Sequence, residues 1–387
     1  MHLKFITRLV SALLLIAGCH MAWAVAQPQD LMMEDQANLS GMNLSGLDLS
    51  GLHLNQTDLQ GSDLHGADLN GTYLISAWLS DAYLNDARLV RANLTESVLS
   101  GADLSGADLS ESTLEGAQMC GAKLKGARLI KSDLTEADLT ETDLTGANLS
   151  GARLFRSDLS SANLKGISLI SANLIGAHMS WTEMGESHLS RGQFSRAELY
   201  SANLTDADLS DADFTRAYLM RSNLNDANLK WANLGYADLT EANLSGANLA
   251  SAKMHYADLT RANLTGADLS DADLGSVRMT GVRLCGAKLN RVSLRELDLR
   301  GVDMRGATLR NSHLDNVYLT NSNMTGVNMR GAALSQVELS GADLRGSDLE
   351  RIKYDQFTLL SLSKANLTGA RISDDLKASL STLSGDV

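Results

Sequence analysis

The sequence predicts an all-β solenoid, chiefly because an apolar residue occupies every fifth position from Leu39 to Leu349. These 63 consecutive positions hold 53 Leu, 8 Met and 2 Phe. On an α-helix, residues five apart are rotated by about 140°, and on a flat strand they alternate between faces. Neither element can bury all these side chains in one core, whereas a chain that turns a corner every five residues can. One proline and only 4% aromatic residues also fit a repeat array better than an ordinary globule.

The residues around each apolar position repeat as well, and the stretch from Leu99 to Leu109 shows the pattern undiluted. Ala mostly stands two residues earlier, Asp or Asn one earlier, Ser or Thr often one later and Gly often two later. Small Ala side chains suit a crowded interior, and Gly suits corners that need unusual backbone angles. If four corners close a square, coils of about 20 residues stack roughly 4.8 Å apart, as neighbouring strands do. Residues 37–351 then form a rod roughly 75 Å long.

This A-(D/N)-L-(S/T)-G pattern resembles that of the pentapeptide-repeat family, over about four-fifths of the chain. The resemblance implies a right-handed quadrilateral β-helix, with Leu or its Met and Phe substitutes inside, together with the preceding Ala. Some members of the family dimerise through a C-terminal segment, so a monomer or a C-terminally mediated dimer is expected. Other members resemble B-DNA in width and negative charge and bind type II topoisomerase in its place.

Residues 1–26 have the pattern of a secretory signal peptide: a positive start, an apolar run at 9–18 too short to span a membrane, and small residues after it. Two kinds of processing remain open. Cleavage by ordinary signal peptidase, after Ala24 or Ala26, would release a periplasmic or secreted protein. Residues 16–19 instead resemble a bacterial lipobox, which would place a lipid on Cys19 and give a membrane-anchored lipoprotein. Contact with a membrane is expected only through this anchor.

Short segments flank the repeats at both ends. Residues 27–36 form a lead-in that is expected to cover the open apolar end of the first coil, since terminal repeats need a cap. Residues 352–387 are predicted to hold one imperfect turn and then a short cap helix. Ser373 is the expected N-cap, followed by acidic residues in the first turn. The leucines at helical spacing are Leu376, Leu380 and Leu383.

No catalytic motif stands out in the sequence. It has no G-x-S-x-G elbow, no P-loop and no dinucleotide fingerprint, and its histidines lack the spacing of a metal site. Cys120 and Cys285 lie about eight coils apart, roughly 40 Å, which is too far for a disulfide within the chain. An active site also usually needs a pocket, and a loopless rod offers none. We therefore expect no enzyme, no cofactor and no metal.

The formal net charge of −13 is distributed unevenly. Residues 27–276 carry 34 acidic and 16 basic side chains, whereas residues 277–351 carry 8 and 11. Much of the acid is the repeat's own Asp, which predicts a well-solvated rod surface and no direct binding of nucleic acid.

If each coil holds 20 residues, two sets of outward residues are candidates for an interaction surface, because Arg and aromatic residues anchor many interfaces. The first set is one column with a second group on an adjacent face: Arg156, Arg196, Arg216, Tyr236 and Tyr256, with Trp181, Tyr200, Arg221 and Arg261. The second set is a basic girdle on four successive faces of one coil: Arg295, Arg300, Arg305 and Arg310. The girdle would suit an acidic partner or anionic lipid head groups. Ordinary stacking of variable surface residues is the alternative for both sets.

The function predicted from these observations is that of an exported, non-enzymatic scaffold or binding rod in the bacterial envelope, with an unidentified protein partner. The alternative is a DNA-mimicking protein that binds type II topoisomerase. The acidic stretch favours this alternative, whereas the export signal, the basic C-terminal end and the lack of projecting loops oppose it.

Overall fold

The computed structural model describes residues 35–384, which form one continuous β-helix with two helices near its C-terminal end. The predicted signal peptide, Cys19 and most of the lead-in lie outside the described residues. Parallel bridges join each outward residue to the one 20 positions later, beginning with Asn38 and Asp58. Each coil therefore holds four faces of five residues, and the predicted quadrilateral β-helix is confirmed.

The interior of the rod consists of stacked ladders of apolar side chains. The residues at the fifth positions are buried from Leu39 to Leu349, as are most of the Ala residues two positions earlier. Where Ser or Thr replaces this Ala, its buried hydroxyl usually donates to a main-chain carbonyl. Ser62 Oγ, for example, donates to Leu59 O at 2.8 Å. Such bonds let polar residues enter the core without an unpaired hydroxyl.

Every corner has the same left-handed backbone, whichever residue occupies it. The residue two positions after each core residue has a positive φ, from Gln36 at 75° to Arg351 at 61°. Its N–H donates to a carbonyl of the next coil, as Gly41 N does to Gln60 O at 2.9 Å. This bond offsets the strain of a non-glycine residue in the left-handed region. Corners can therefore carry large side chains such as that of Arg156.

The Asp or Asn before each core residue shapes the corner that follows. Its side-chain oxygen accepts from the backbone N–H two residues later, as Asp103 Oδ1 does from Ser105 N at 3.0 Å. A Ser or Thr hydroxyl often donates to the same oxygen, as Ser110 Oγ does to Asp108 Oδ1 at 2.6 Å. A short polar side chain thus mimics a backbone turn, which explains why the repeat keeps Asp or Asn there.

Regular strands are short and lie in the C-terminal part of the rod. One parallel sheet is formed, in this order, by β1 (Ser293–Arg295), β2 (His313–Asp315), β3 (Ala333–Ser335) and β5 (Lys353–Tyr354). A second pairs β4 (Asp348–Leu349) with β6 (Arg371–Ile372). The helices are α1 (Gln356–Leu362) and α2 (Asp374–Ser384).

Helix α1 interrupts the repeat, and the sequence pattern did not predict this helix. Beyond it, Asp343 pairs with Asn366 and Leu349 with Ile372, so the partners are 23 positions apart instead of 20. Leu367 and Ile372 therefore resume the repeat in a shifted phase. The shift of three residues is the length that α1 adds to this coil.

Helix α1 also closes the edge of the coil beneath it. Elsewhere the N–H groups of a coil donate to carbonyls of the next coil. Here Asp355 Oδ2 accepts from Gln336 N at 2.8 Å, and Ser361 Oγ accepts from Leu339 N. Side chains thus replace the missing backbone partners, and the edge no longer presents a row of free N–H groups to another chain.

Helix α2 is the predicted C-terminal helix. Asp374 and Asp375 lie in its first turn, where the helix dipole favours acidic residues. Leu376 is fully buried, and the other two predicted leucines pack against the core while partly exposed. Tyr354 Oη donates to Ser379 Oγ at 3.0 Å, which fastens α2 to the last coil.

Candidate interaction surface

The first predicted surface set flanks a single face of the rod. This face carries the outward ladder that runs through Asp158, Tyr218 and Asp258. The Arg and Tyr column lies at the corner that begins the face, and the group around Trp181 lies at the corner that ends it. The two groups flank one face, because both corners border the same five-residue segment. We call this surface the aromatic–arginine face: Arg156, His178, Trp181, Arg196, Glu198, Tyr200, Arg216, Tyr218, Arg221, Tyr236, Tyr256 and Arg261.

At the first corner, side chains stack along the rod axis. The rings of Tyr236 and Tyr256 lie 4.9 Å apart between centroids and 15° from parallel. The Arg216 guanidinium lies 5.5 Å from the Tyr236 ring centroid. His255 packs edge-on against Tyr236, with centroids 5.5 Å apart. Both tyrosines remain about half exposed, so their edges and hydroxyls are open to a partner.

The same corner carries two further arginines towards the N-terminal end. Arg156 lies 5.0 Å from the ring centroid of Phe155, and its Nη1 is 4.0 Å from Glu136 Oε1. Arg196 makes no ion pair with any residue between 35 and 384, and its neighbours in the column are Gly176 and Arg216. The guanidinium of Arg196 is therefore the most available cation of this corner.

At the second corner, a hydrogen-bonded network holds the side chains. Trp181 and Tyr200 meet edge to face, with centroids 5.2 Å apart. Arg221 donates from Nη1 to Tyr200 Oη at 2.9 Å and from Nε to Glu241 Oε2 at 2.8 Å. Arg261 Nη1 donates to Glu241 Oε1 at 3.3 Å. The hydrogen bond from Arg221, more than that from Arg261, lowers the pKa of Glu241 below its ordinary value.

The central ladder joins the two corners into one surface, and its residues were not among the predicted site residues. His178 Nδ1 lies 3.0 Å from Glu198 Oε2, and Tyr218 on the next rung is 49% exposed. The sequence could have indicated this ladder, because the 20-residue spacing applies to the residue before each core position as well as to the corners. The prediction considered only the corners and the turns beside them.

Charges of both signs are balanced across the aromatic–arginine face. Its five arginines are matched by five acidic side chains on the face and its corners: Asp158, Glu198, Asp238, Glu241 and Asp258. A polyanion such as DNA needs a net positive surface. The aromatic–arginine face has no such excess of positive charge.

The predicted basic girdle is half neutralised within its own coil. Arg300 Nη2 lies 2.6 Å from Asp298 Oδ2, and Arg305 Nη2 lies 2.7 Å from Asp303 Oδ2. Hydrogen bonds from these arginines lower the pKa of both carboxyl groups. The residues before and after a core residue point to the same side of the chain, so Asp and Arg meet there. The other two arginines of the girdle, Arg295 and Arg310, form no ion pair with any residue between 35 and 384.

Other kinds of site are not evident in the part of the chain that the structure describes. Between residues 35 and 384, no three His, Cys, Asp or Glu side chains are grouped so that they could hold a metal ion. Cys120 and Cys285 are both free thiols. Over the same range, no helix is both long and apolar enough to cross a bilayer.

Fold and surface together define a class of protein: a β-solenoid of five-residue repeats whose function lies in the side chains that it displays. The family model for pentapeptide repeats (8 copies) matches residues 37–74, 77–116, 114–151, 152–191, 197–235, 227–266, 242–282, 267–306, 278–316 and 312–351. The chain belongs to the pentapeptide-repeat family.

Several solved structures of the same family are similar to this chain. HetL from Nostoc sp. strain PCC 7120, involved in heterocyst differentiation regulation, is 31% identical over 63% of this chain and 90% of HetL, with a TM-score of 0.22. QnrB1, a plasmid-mediated fluoroquinolone resistance protein, is 17% identical over 63% of this chain and 95% of its own, with a TM-score of 0.24. A protein of the Arabidopsis thaliana thylakoid lumen is 31% identical over 32% and 71% of the two chains, with a TM-score of 0.24. No functionally curated protein gives a significant match.

Proposed function

We propose that this protein is an exported, non-enzymatic binding rod of the bacterial envelope, which holds a partner protein on its aromatic–arginine face. The observation that carries the proposal is the concentration of half-exposed Trp, Tyr and Arg side chains on one face. From Arg156 to Tyr256 this face extends over five coil spacings, about 24 Å. Trp, Tyr and Arg are the residue types that contribute most to the energy of protein interfaces.

The arrangement of these side chains also favours binding. The Tyr236–Tyr256 stack and the hydrogen bonds of Arg221 hold the side chains in place before a partner arrives. A partner would therefore lose less side-chain entropy on binding than it would against free side chains. The rigid ladder beneath keeps each rung at a fixed spacing, so the whole face acts as a preformed template.

Site-specific crosslinking in the producing cell tests this proposal. A photoreactive benzoylphenylalanine replaces Tyr218 at the centre of the face, and in a control it replaces Tyr318. The control residue is similarly exposed, at 44% against 49%, and lies on the same ladder five coils further on. We expect a crosslinked protein band from the first position that disappears when Trp181→Ala and Tyr236→Ala are added. Equal crosslinking at both positions, or none, would contradict the proposal.

The export part of the proposal rests on the N-terminal sequence. Fractionation and intact mass of the mature protein in a Gram-negative host distinguish the two forms of export. A soluble periplasmic chain that begins near Gln27 supports ordinary export, and a membrane-bound chain that begins at lipidated Cys19 supports an anchored rod. An uncleaved cytosolic chain would overturn export in either form.

A second candidate function is topoisomerase binding by DNA mimicry, as the family resemblance implies for some members. The observation that favours it is the excess of acidic residues over residues 27–276, many of them on outward ladders. Several of these acids are paired with arginines one rung away, such as Asp133 with Arg153 at 3.4 Å. A DNA supercoiling assay with type II topoisomerase tests this candidate function. If micromolar mature protein does not inhibit the enzyme, topoisomerase binding is excluded.

A further inference from the structure

A shallow groove lies near the N-terminal end of the rod. It spans the first coils that the structure describes, and it lies closer to the N-terminal end of the rod than the aromatic–arginine face does. Its volume is about 460 Å³, and most of this space is open to solvent. The lining residues are Gly41, Asn43, Gly61, Asp63, His65, Tyr83 and Asn85.

The groove is open on one side because two corners lack side chains. Gly41 and Gly61 occupy successive rungs of the same corner, and a Cβ atom added to either would meet nothing within 4 Å. The floor is one outward ladder, in which Asn43, Asp63 and Tyr83 are bridged in parallel. From the first to the third rung this floor measures about 10 Å.

Tyr83 gives the groove a free aromatic surface. Its side chain is 56% exposed, and it contacts no other aromatic ring among residues 35–384. Tyr73, on the opposite face of the rod, differs in this respect, since its ring is stacked on His53 at 4.5 Å and 11°. The apolar face of the Tyr83 ring is thus available to pack against a ligand, with a polar hydroxyl at its tip.

Polar groups with spare hydrogen-bonding capacity surround this ring. Asp63 Oδ1 accepts from His65 N at 3.1 Å, which leaves Oδ2 as a free acceptor. Asn43 Oδ1 accepts from Ser45 N at 3.0 Å, so its Nδ2 remains a donor. His65 Nδ1 lies 2.6 Å from Asn85 Nδ2, which fixes both side chains at the edge of the groove. The groove therefore presents donors and acceptors beside one apolar ring.

The surrounding charge restricts the ligand further. Between residues 35 and 87 the sequence has seven Asp and no Lys or Arg. The first basic residue beyond, Arg88, lies 3.7 Å from Asp68, which compensates its charge. An acidic ligand would be repelled here, and so would a nucleic acid. An apolar ligand would leave much of its surface in water because the groove is open.

We propose that this groove binds an uncharged saccharide, with a pyranose ring packed on Tyr83 and its hydroxyls bonded to Asn43, Asp63 and Asn85. A sugar has apolar C–H faces for the tyrosine ring and many hydroxyls that tolerate solvent on the open side. The length of the floor allows two sugar rings end to end. This proposal is independent of the aromatic–arginine face and of the route of export.

Saturation-transfer NMR with the mature protein tests the assignment. The neutral probes are chitotriose and maltotriose, and the acidic probe is trigalacturonate. We expect saturation of at least one neutral probe and none of the acidic one. Tyr83→Ala should weaken the binding of that probe by about tenfold, whereas the matched Tyr73→Ala variant should not change it.

A second variant tests the open corner. Gly61→Gln places a long side chain over the groove, and the fold tolerates it because Gln56 occupies an equivalent corner with φ 53°. We expect this variant to keep its melting temperature and lose binding. The proposal is overturned if neither neutral probe receives saturation, if trigalacturonate binds better, or if the Tyr73 and Tyr83 variants lose binding equally.

Discussion

Gly192 is the residue where the packing of the core is most open to a quantitative test. It occupies a position that is usually Ala, two residues before the buried Phe194. An added Cβ would lie 2.5 Å from Phe194 Cε2 and 3.0 Å from Leu189 O. Carbon atoms in contact normally lie about 3.5–4.0 Å apart, so the overlap is on the order of 1 Å. The Phe194 ring cannot easily move away, because it is stacked on Phe214 with centroids 4.7 Å apart.

The expected cost of Gly192→Ala follows from these contacts. Overpacking of this kind costs about 1–3 kcal/mol. The backbone of Gly192 is not left-handed, so Ala can adopt it. Ala also lowers the entropy of the unfolded chain, which stabilises the fold by about 0.4–1 kcal/mol and offsets part of the steric cost. The net destabilisation should be about 1–2 kcal/mol, confined at first to the coils that contain the two phenylalanines.

A double-mutant cycle with Phe194→Leu separates this steric effect from others. Phe194→Leu alone leaves a cavity beside Phe214, and the Ala methyl in the double variant fills part of it. We expect the double variant to be more stable than the sum of the single effects by about 1–2 kcal/mol. It restores the Ala-x-Leu arrangement of most other repeats.

The assay is amide hydrogen exchange followed by mass spectrometry, because local opening of a solenoid can be resolved segment by segment. Peptides that cover residues 189–214 should exchange faster in Gly192→Ala, and peptides from the coils near residue 100 serve as the internal control. Unchanged exchange in the single variant, or strict additivity in the cycle, would refute the packing argument.

Three further predictions concern polar contacts. Ser361→Ala leaves the buried Leu339 N–H without its acceptor, so this amide should exchange faster and the C-terminal end should lose about 1–3 kcal/mol of stability. The pKa of Glu241 is lower than its ordinary value of 4.5, so the stability that its ion pairs contribute is complete above pH 4.5 and is lost as the pH falls through the lowered pKa. Glu241→Gln should therefore reduce the fall in melting temperature between pH 6 and pH 3. Asp303→Asn releases the guanidinium of Arg305, so this variant should elute later from a heparin column.

Each of these predictions has a matched control. Ser363→Ala removes an exposed hydroxyl that donates only within its own helix, to Leu360 O at 2.8 Å, and should leave the exchange unchanged. Glu136 forms a longer ion pair, at 4.0 Å from Arg156, so Glu136→Gln should alter the pH dependence of the melting temperature less than Glu241→Gln does. Asp211→Asn changes the net charge equally without releasing an arginine. If control and test variants behave alike, the corresponding contact has no specific role.

The repeat unit could be predicted from sequence because its causes are local. A core residue every five positions, an Asp or Asn such as Asp103 that forms the turn, and a corner whose backbone is the same for Gly41 and Arg156 all depend on neighbours within a few residues. The C-terminal helix was predictable for the same reason, since its first-turn acids and spaced leucines lie within one segment.

What the sequence did not reveal depends on contacts across coils or across a face. Helix α1 has only seven residues, and its role comes from the coil beneath it, where Asp355 and Ser361 replace absent carbonyls. The neutralisation of Arg300 and Arg305 depended on which way each side chain turns, and a list of basic residues does not contain that information. The sequence by itself determined the period and therefore the fold. Only the tertiary structure decided which side chains share a face and which charges remain free, because coil closure brings together residues that are 20 positions apart.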